Sequence, residues 1–277
     1  MIKISLKRAL SALALGLLVS ISSVHASTDT GTTLKNIYQM RTIAFGILGD
    51  YYMFSGLEGD SRYNREIESG VKRFEALLGS LTASGSSTAN LSSVATALSS
   101  WQSFKKLLET NRADFLVQGY ANAQLVDKLG REVMVLNDSL KAVYDGIVVD
   151  SQFNIAELTQ DTRNMGLIIS TLTAEYAARS TSSLGQVMVI NINEGGMDAQ
   201  AKIFDELLNK LKAAAKSDKR IYKIMDQVGV KWEFIAKSVA NYNENAVPFI
   251  VNTYGDRINQ NLATVGEHFS ASMQAKK

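Results

Sequence analysis

Residues 74–81 read Phe-Glu-Ala-Leu-Leu-Gly-Ser-Leu, and residues 204–211, 130 positions later, read Phe-Asp-Glu-Leu-Leu-Asn-Lys-Leu. Trp101 and Trp232 follow these segments at a shift of 131. Upstream, five residues recur at a shift of 125: Met40, Ile43, Ile47, Tyr51 and Ser55 match Met165, Ile168, Leu172, Tyr176 and Ser180. Matched leucines arise readily between amphipathic helices, but this preserved order of Met, Tyr, Phe and Trp does not. The pattern predicts an internal duplication.

The pattern of apolar residues predicts an all-α protein. Apolar side chains recur every three or four positions, and the 277 residues contain a single proline, Pro248. We expect eight helices near 32–55, 62–82, 91–114, 117–147, 154–182, 197–216, 218–242 and 248–274. Helices of this length favour elongated antiparallel bundles. The default architecture is two tandem four-helix repeats, over 27–149 and 150–277, and one longer bundle built from both repeats is the alternative.

The N-terminus has the pattern of a secretory signal peptide. Lys3, Lys7 and Arg8 precede an apolar stretch, and residues 24–26, Val-His-Ala, place small residues at the cleavage positions, which predicts cleavage before Ser27. The alternative is an uncleaved anchor, for which the stretch is short and rich in serine. No later segment is apolar enough to cross a membrane. We therefore expect residues 1–26 to be removed and the mature protein to be soluble and periplasmic.

The composition argues against several classes of function. Without the signal peptide, 26 basic residues face 27 acidic ones, whereas a nucleic-acid-binding protein usually carries a basic excess. The chain has no cysteine, and His268 is the only histidine of the mature region. This excludes Cys nucleophiles and Cys/His zinc sites and argues against His-centred triads. We expect no catalytic residues, no cofactor and no metal site, and hence a protein that is not an enzyme.

Four residues are candidates for ligand binding. Arg41 falls within the apolar stripe of the first helix, where an unpaired charge is costly and a bound anion would relieve the cost. Arg163 lies near the start of the corresponding helix in the second repeat. Tyr51 and Tyr176, each directly after an acidic residue, are positioned to offer polar groups to a pocket between helices. The alternatives are arginines that reach solvent at the bundle edge and tyrosines that are core residues. Trp101 and Trp232 are expected in the core.

The chain resembles a family of bacterial sensor domains in the order of its first two helices. The segment 36–41 reads Asn-Ile-Tyr-Gln-Met-Arg, and a second helix opens with Arg-Tyr-Asn-Arg at 62–65 and continues into residues 74–78. These features resemble the periplasmic helical sensor module of chemoreceptors, especially type IV pilus chemotaxis receptors and nitrate-responsive kinases. The resemblance spans about residues 32–272 in two copies. It implies a helical bundle in which Arg41 faces an interface and holds an anion.

The leading hypothesis is a receptor-like periplasmic protein that binds a small molecule, which is anionic if the resemblance holds, or a partner protein. It would act with a membrane-bound receptor or another envelope protein. The alternative is a structural, adaptor or secreted interaction protein of the envelope without a small-molecule site. We expect no nucleic-acid partner. A monomer and a homodimer are both compatible with the sequence.

Overall fold

The computed structural model describes residues 6–83, 91–181, 196–241 and 246–274, with side chains from residue 30 onward. These ranges form eight α-helices and one short 3-10 turn at Ala215–Ser217, and they contain no strand. The all-α prediction is confirmed. The helices are α1 (Leu6–Gly56), α2 (Ser61–Ala83), α3 (Leu91–Gln118), α4 (Ala123–Ser151), α5 (Glu157–Thr181), α6 (Gly196–Ala214), α7 (Lys219–Ala240) and α8 (Pro248–Gln274).

Several helix ends differ from the prediction, among them the start of α4, which lies at Ala123 rather than near residue 117. Helix α1 begins at Leu6 rather than near residue 32, since no proline interrupts that stretch. Helix α3 continues to Gln118, where Gly119 takes a positive φ of 77° and ends it. Helix α4 runs through the expected repeat boundary at 149/150 and ends before Gln152, which has a left-handed backbone with φ of 50°. Within the described ranges, no helix is apolar and long enough to span a membrane.

Side-chain caps and a proline set the start of several helices. Asp60 Oδ1 accepts a hydrogen bond from the Arg62 amide at 2.7 Å, as the sequence predicts. Asn122 and Asp218 cap α4 and α7 in the same way. Pro248 is the first residue of α8, where its missing amide costs nothing. These signals are local, and for this reason the starts of α2, α7 and α8 were predicted to within one residue.

The buried apolar side chains form two separate clusters. The first cluster is built from α1, α2, α3 and α4, with Ala177 and Ala178 of α5 added to it. The second is built from α5, α6, α7 and α8. Each half of the chain therefore has its own four-helix core, and α5 also contributes to the core of the first half.

Both cores contain the same contact between a phenylalanine and a tryptophan. Phe74 stacks on Trp101 with ring centroids 3.8 Å apart, and Phe204 lies against Trp232 at 4.2 Å. Both indoles are buried, so the expected core role of the two tryptophans agrees with their position. The shared contact is what a duplication would produce, although the duplication itself stays a prediction.

The two bundles meet along α1 and α5, which pack against each other. A Cβ atom on Gly49 would lie 3.4 Å from Ala174 Cα, and one on Gly56 would lie 2.0 Å from Thr181 Cβ. Both pairs join residues 125 positions apart, the shift at which α1 and α5 match in sequence. The two helices therefore run parallel and meet through corresponding residues. Glycine allows this close approach because it lacks a side chain.

Candidate ligand-binding site between the two bundles

A cavity of about 630 Å³ lies between the two bundles. Helices α1 and α2 of the first bundle form one wall, and α5 and α8 of the second form the other. Gly46 lies on the α1 side, where an added Cβ atom would have no neighbour within 4 Å. The volume is in the range of small-molecule sites. Its polar and charged lining residues include Asp50, Glu66, Arg73, Ser170, Asn252 and Asp256.

Three carboxylates from three helices line this cavity. Asp50 of α1 is partly buried, whereas Glu66 of α2 and Asp256 of α8 remain exposed. Loss of hydration raises the pKa of Asp50 well above its usual value, and the charges of Asp256 and Glu66 add to the effect. Although the side chain of Asp256 keeps contact with solvent, its loss of hydration in the groove raises its pKa to about 6, and the charge of Glu66 adds to the effect. The carboxylates therefore lack full compensation for their negative charge.

Two amide side chains of α8 also line the cavity. Asn252 is buried and hydrogen-bonds to Asp50, which favours the charged carboxylate without outweighing its lost hydration. Asn259 Nδ2 donates to Ser170 Oγ of α5 at 2.9 Å. Arg73 of α2 is the counter-charge among the lining residues, and its guanidinium lowers the pKa values of Asp50 and Asp256. The lining thus mixes neutral hydrogen-bonding groups with an excess of negative charge.

Asp50 has a counterpart in the second bundle with a different environment. Glu175 lies 125 positions later, is buried, and forms an ion pair with Arg179 Nη2 at 2.8 Å. The residue one turn after Asp50 is Phe54, a core residue, so α1 offers no equivalent of Arg179. The carboxylate of the second bundle has a counter-charge on its own helix, although burial outweighs it and raises the pKa of Glu175. The carboxylate of the first bundle faces the cavity instead.

Arg41 and Arg163 both lie near Tyr144 of α4. Arg163 Nη1 donates to the Tyr144 hydroxyl at 2.7 Å, and this hydroxyl donates to Gln160 Oε1 at 2.8 Å. Arg41 Nε donates to Asn137 Oδ1 at 2.9 Å. Burial lowers the pKa of Arg41, partly offset by nearby charges that include Asp145. Among the described residues, neither guanidinium forms an ion pair with a carboxylate.

A smaller cavity of about 230 Å³ adjoins Arg163. Tyr38 of α1 and Thr162 of α5 line it, and so do Lys35 and Glu267, which form an ion pair between α1 and α8 at 2.5 Å. Arg41 does not line it. The structure therefore brings the two predicted arginines into one region. Of the two, Arg163 lines the smaller cavity, and Arg41 lines neither of the two cavities.

Tyr51 and Tyr176 lie in the two separate cores. The Tyr51 hydroxyl donates to Asn111 Oδ1 at 3.2 Å, and the Tyr176 hydroxyl accepts a hydrogen bond from the Val247 amide at 3.0 Å. Neither lines either of the two cavities. Both hydroxyls are used to link helices and loops within a bundle, which matches the alternative that they are core residues.

Glu66, Asn252 and Asp256 were not predicted from the sequence. The sequence pointed to this site only through Tyr51, which follows the acidic residue Asp50. On α8, Asn252, Asp256 and Asn259 recur every three or four positions beside the apolar stripe, which indicates a shared helix face. Nothing local distinguishes such a face from one in contact with water, because the facing helices belong to the other bundle.

No group of His, Cys, Asp and Glu side chains in the described ranges has an arrangement that would hold a metal ion. No known family model matches the chain, and no curated protein or solved structure is significantly similar to it.

Proposed function

We propose that the protein is an exported, receptor-like binding protein without enzymatic activity, and that its ligand lies between the two bundles. The observation that carries this proposal is the inter-bundle cavity of about 630 Å³, with polar side chains supplied by α1, α2, α5 and α8. A group held between two rigid bundles contacts both of them. Such a ligand would therefore favour one relative arrangement of the bundles over others.

We further propose that the two bundles arose by duplication and form an internal pseudo-dimer. Helices α1 and α5 meet through corresponding residues, Gly49 with Ala174 and Gly56 with Thr181. Contact between equivalent surfaces is the arrangement of a two-fold dimer interface. In this proposal the two halves have diverged at Asp50 and Glu175. Only Asp50 lines an acidic cavity, because Glu175 is paired with Arg179 of its own helix.

A membrane-bound receptor or another envelope protein would bind one relative arrangement of the two bundles in preference to the other. The signal-peptide pattern of residues 1–26 supports export to the periplasm. A ligand that stabilised one arrangement of α1 against α5 would change the surface that such a partner contacts. The energy available for this change is limited to the ligand's difference in affinity between the two arrangements.

A thermal-shift screen of the purified protein against amino acids, organic acids, inorganic anions and polyamines tests the binding function. Ligand binding raises the melting temperature by mass action. Gly46→Trp places an indole in the cavity, and Gly79→Trp is the matched control, because both glycines lie in helices with no atom near their Cβ position. We expect a shift that persists in the control and is lost in Gly46→Trp. A shift that survives Gly46→Trp, or no shift with any compound, contradicts the proposal.

The arginine region provides a separate test within the same screen. An anion held near Arg163 would occupy the smaller cavity, and its stabilising effect would be lost in Arg163→Gln and weakened in Arg41→Ala. If the anion response disappears in these variants and persists in Gly46→Trp, the ligand site is the smaller cavity. That result would contradict the assignment of the larger cavity as the binding site.

An interaction protein is the second candidate function. Val230 and Phe234 lie one turn apart on α7 and are each 62% exposed. Exposed apolar side chains that cluster often contact partners. Crosslinking in envelope extracts tests this function: a partner that is captured by the unaltered protein and lost in Val230→Ser/Phe234→Ser supports it. Recovery of the same partner with the double variant contradicts it.

A further inference from the structure

The acidic end of the inter-bundle cavity points to the charge of its ligand. Among the lining residues, three carboxylates face a single guanidinium, that of Arg73. Arg62 also acts on Asp256 electrostatically, but its guanidinium lies over the ring of Phe249 at 4.8 Å and does not line the cavity. The lining therefore carries a negative excess that the surrounding protein does not neutralise.

We propose that Asp50, Glu66 and Asp256 bind an ammonium group of an aliphatic organic cation, an inference that rests on the proposed binding function. The counterpart of Asp50 shows what the missing charge would do. Glu175 is stabilised by the guanidinium of Arg179 at 2.8 Å, whereas Asp50 has the neutral amide of Asn252. An ammonium group in the cavity would supply Asp50 with the positive charge that Arg179 supplies to Glu175.

The amide oxygen of Asn259 is a second, independent indication. Asn259 lies one turn after Asp256 on α8 and lines the cavity. Its buried Oδ1 has no hydrogen-bond partner among the described residues. A buried acceptor without a donor costs free energy. An ammonium group in the cavity supplies a donor for this oxygen.

The cavity also indicates an organic cation in preference to a metal ion. The carboxylates come from α1, α2 and α8, and no described group of acidic side chains has metal-binding geometry. The volume of about 630 Å³ far exceeds that of one ion. Ile43, Ile47 and Ala174 add apolar surface to the lining. A ligand with an aliphatic chain between amino groups matches both the apolar and the acidic side chains of the lining. Its methylene groups would contact the apolar side chains, and its ammonium groups would contact the carboxylates.

Isothermal titration calorimetry with matched probes tests this inference. Spermidine and 1,4-diaminobutane carry ammonium groups, succinate carries carboxylates on a chain of similar length, and 1,4-butanediol is neutral. We expect binding of the two amines at pH 7.5 and no binding of the anionic or neutral probe. Asp50→Asn should weaken spermidine binding at least tenfold, about 1.4 kcal/mol. Glu233→Gln, which changes an exposed carboxylate of α7, should leave it unchanged.

The outcomes separate this inference from the proposed function. Binding of succinate that is lost in Gly46→Trp would keep the cavity as a binding site and overturn the cationic ligand class. Spermidine binding that is equal in the unaltered protein and in Asp50→Asn would also overturn it. Because Asp50→Asn changes a partly buried side chain that accepts a hydrogen bond from Asn252, its melting temperature serves as a folding control. A folded variant with weakened spermidine binding supports the inference.

Discussion

The hydroxyl of Tyr38 on α1 lies 1.9 Å from the position that a Cβ atom on Gly166 of α5 would occupy. The backbone of α5 therefore approaches the tyrosine so closely that only glycine fits. This contact joins the two bundles beside both cavities, since Tyr38 lines each of them. Burial raises the pKa of the Tyr38 hydroxyl, against the opposing effect of Arg163 and Arg41, so the group stays protonated at physiological pH.

Gly166→Ala should destabilise the protein by about 1–3 kcal/mol, because the added methyl group overpacks the contact with Tyr38. The atom that clashes with the added Cβ is the hydroxyl oxygen of Tyr38, whereas the nearest carbon of its ring lies 3.2 Å from the Cβ position. Tyr38→Phe should therefore recover part of the loss in the double variant. Urea unfolding of the four proteins measures this coupling. Equal losses in Gly166→Ala with and without Tyr38→Phe would show that the hydroxyl does not cause the strain.

Tyr144→Phe should cost about 1–3 kcal/mol, because Arg163 is buried and loses the oxygen that accepts its hydrogen bond. Arg163→Met/Tyr144→Phe should be more stable than Tyr144→Phe alone, since the charge that needs the partner is gone. Chemical denaturation of the single and double variants checks the order. A double variant that is less stable than Tyr144→Phe would contradict the assigned role of this bond.

Asp205→Ala should destabilise the second bundle by about 1–2 kcal/mol, because Trp232 Nε1 donates to Asp205 Oδ1 at 2.6 Å. Glu75 is the residue at the corresponding position of the first bundle, and it forms an ion pair with Lys105 at a half-exposed site. Glu75→Ala should therefore cost only about 0.5 kcal/mol. Thermal and urea unfolding, followed by tryptophan fluorescence, distinguish these expectations. A larger loss from Glu75→Ala than from Asp205→Ala would refute them.

Asp256→Asn should make the protein more stable at pH 7 and leave it unchanged near pH 4. The folded-state pKa of about 6 lies above the reference value of 3.8, so folding favours the protonated carboxyl. The stability associated with this group is fully present below about pH 4 and is lost as the pH rises through 6. Because Asp256 is exposed and solvent screens it, we expect a gain of only about 1 kcal/mol.

Urea unfolding from pH 4 to 8 measures the difference between Asp256→Asn and the unaltered protein. The charged groups around Asp256 are Glu66, Arg73 and Arg62 on α2 and Asp50 on α1. Comparing the variant with Glu233→Gln corrects for groups that titrate elsewhere in the chain. A stability difference that does not change with pH would mean that the groove leaves this carboxyl hydrated.

Much of the helical framework was predictable, because helices begin and end through local interactions. The prediction for α8, 248–274, matches the observed Pro248–Gln274. The prediction for α2, 62–82, differs from Ser61–Ala83 by one residue at each end. The junction of α3 and α4 was placed several residues early, since Gly119 and Asn122 set it through backbone geometry and a side-chain cap.

The candidate site was predictable only in part. Arg41 was recognised as a charge in an apolar stripe, and its guanidinium is indeed partly buried, with Asn137 as its partner. Asp50 was noted only as the acidic residue before Tyr51, and Tyr51 itself, the predicted site residue, lies in a core. Asp256 gave no signal, because it looks like any exposed acidic residue of a helix until another helix faces it.

The sequence by itself determined that the described chain is helical and which side chains of each helix enter a core. Both properties depend on neighbours within four positions, and the recurring apolar spacing records them. Only the tertiary structure decided that α1 packs in parallel on α5 and that carboxylates from α1, α2 and α8 meet at one cavity. These contacts join residues far apart in sequence. They depend on the close approach of backbones at Gly49, Gly56 and Gly166, which no local pattern specifies.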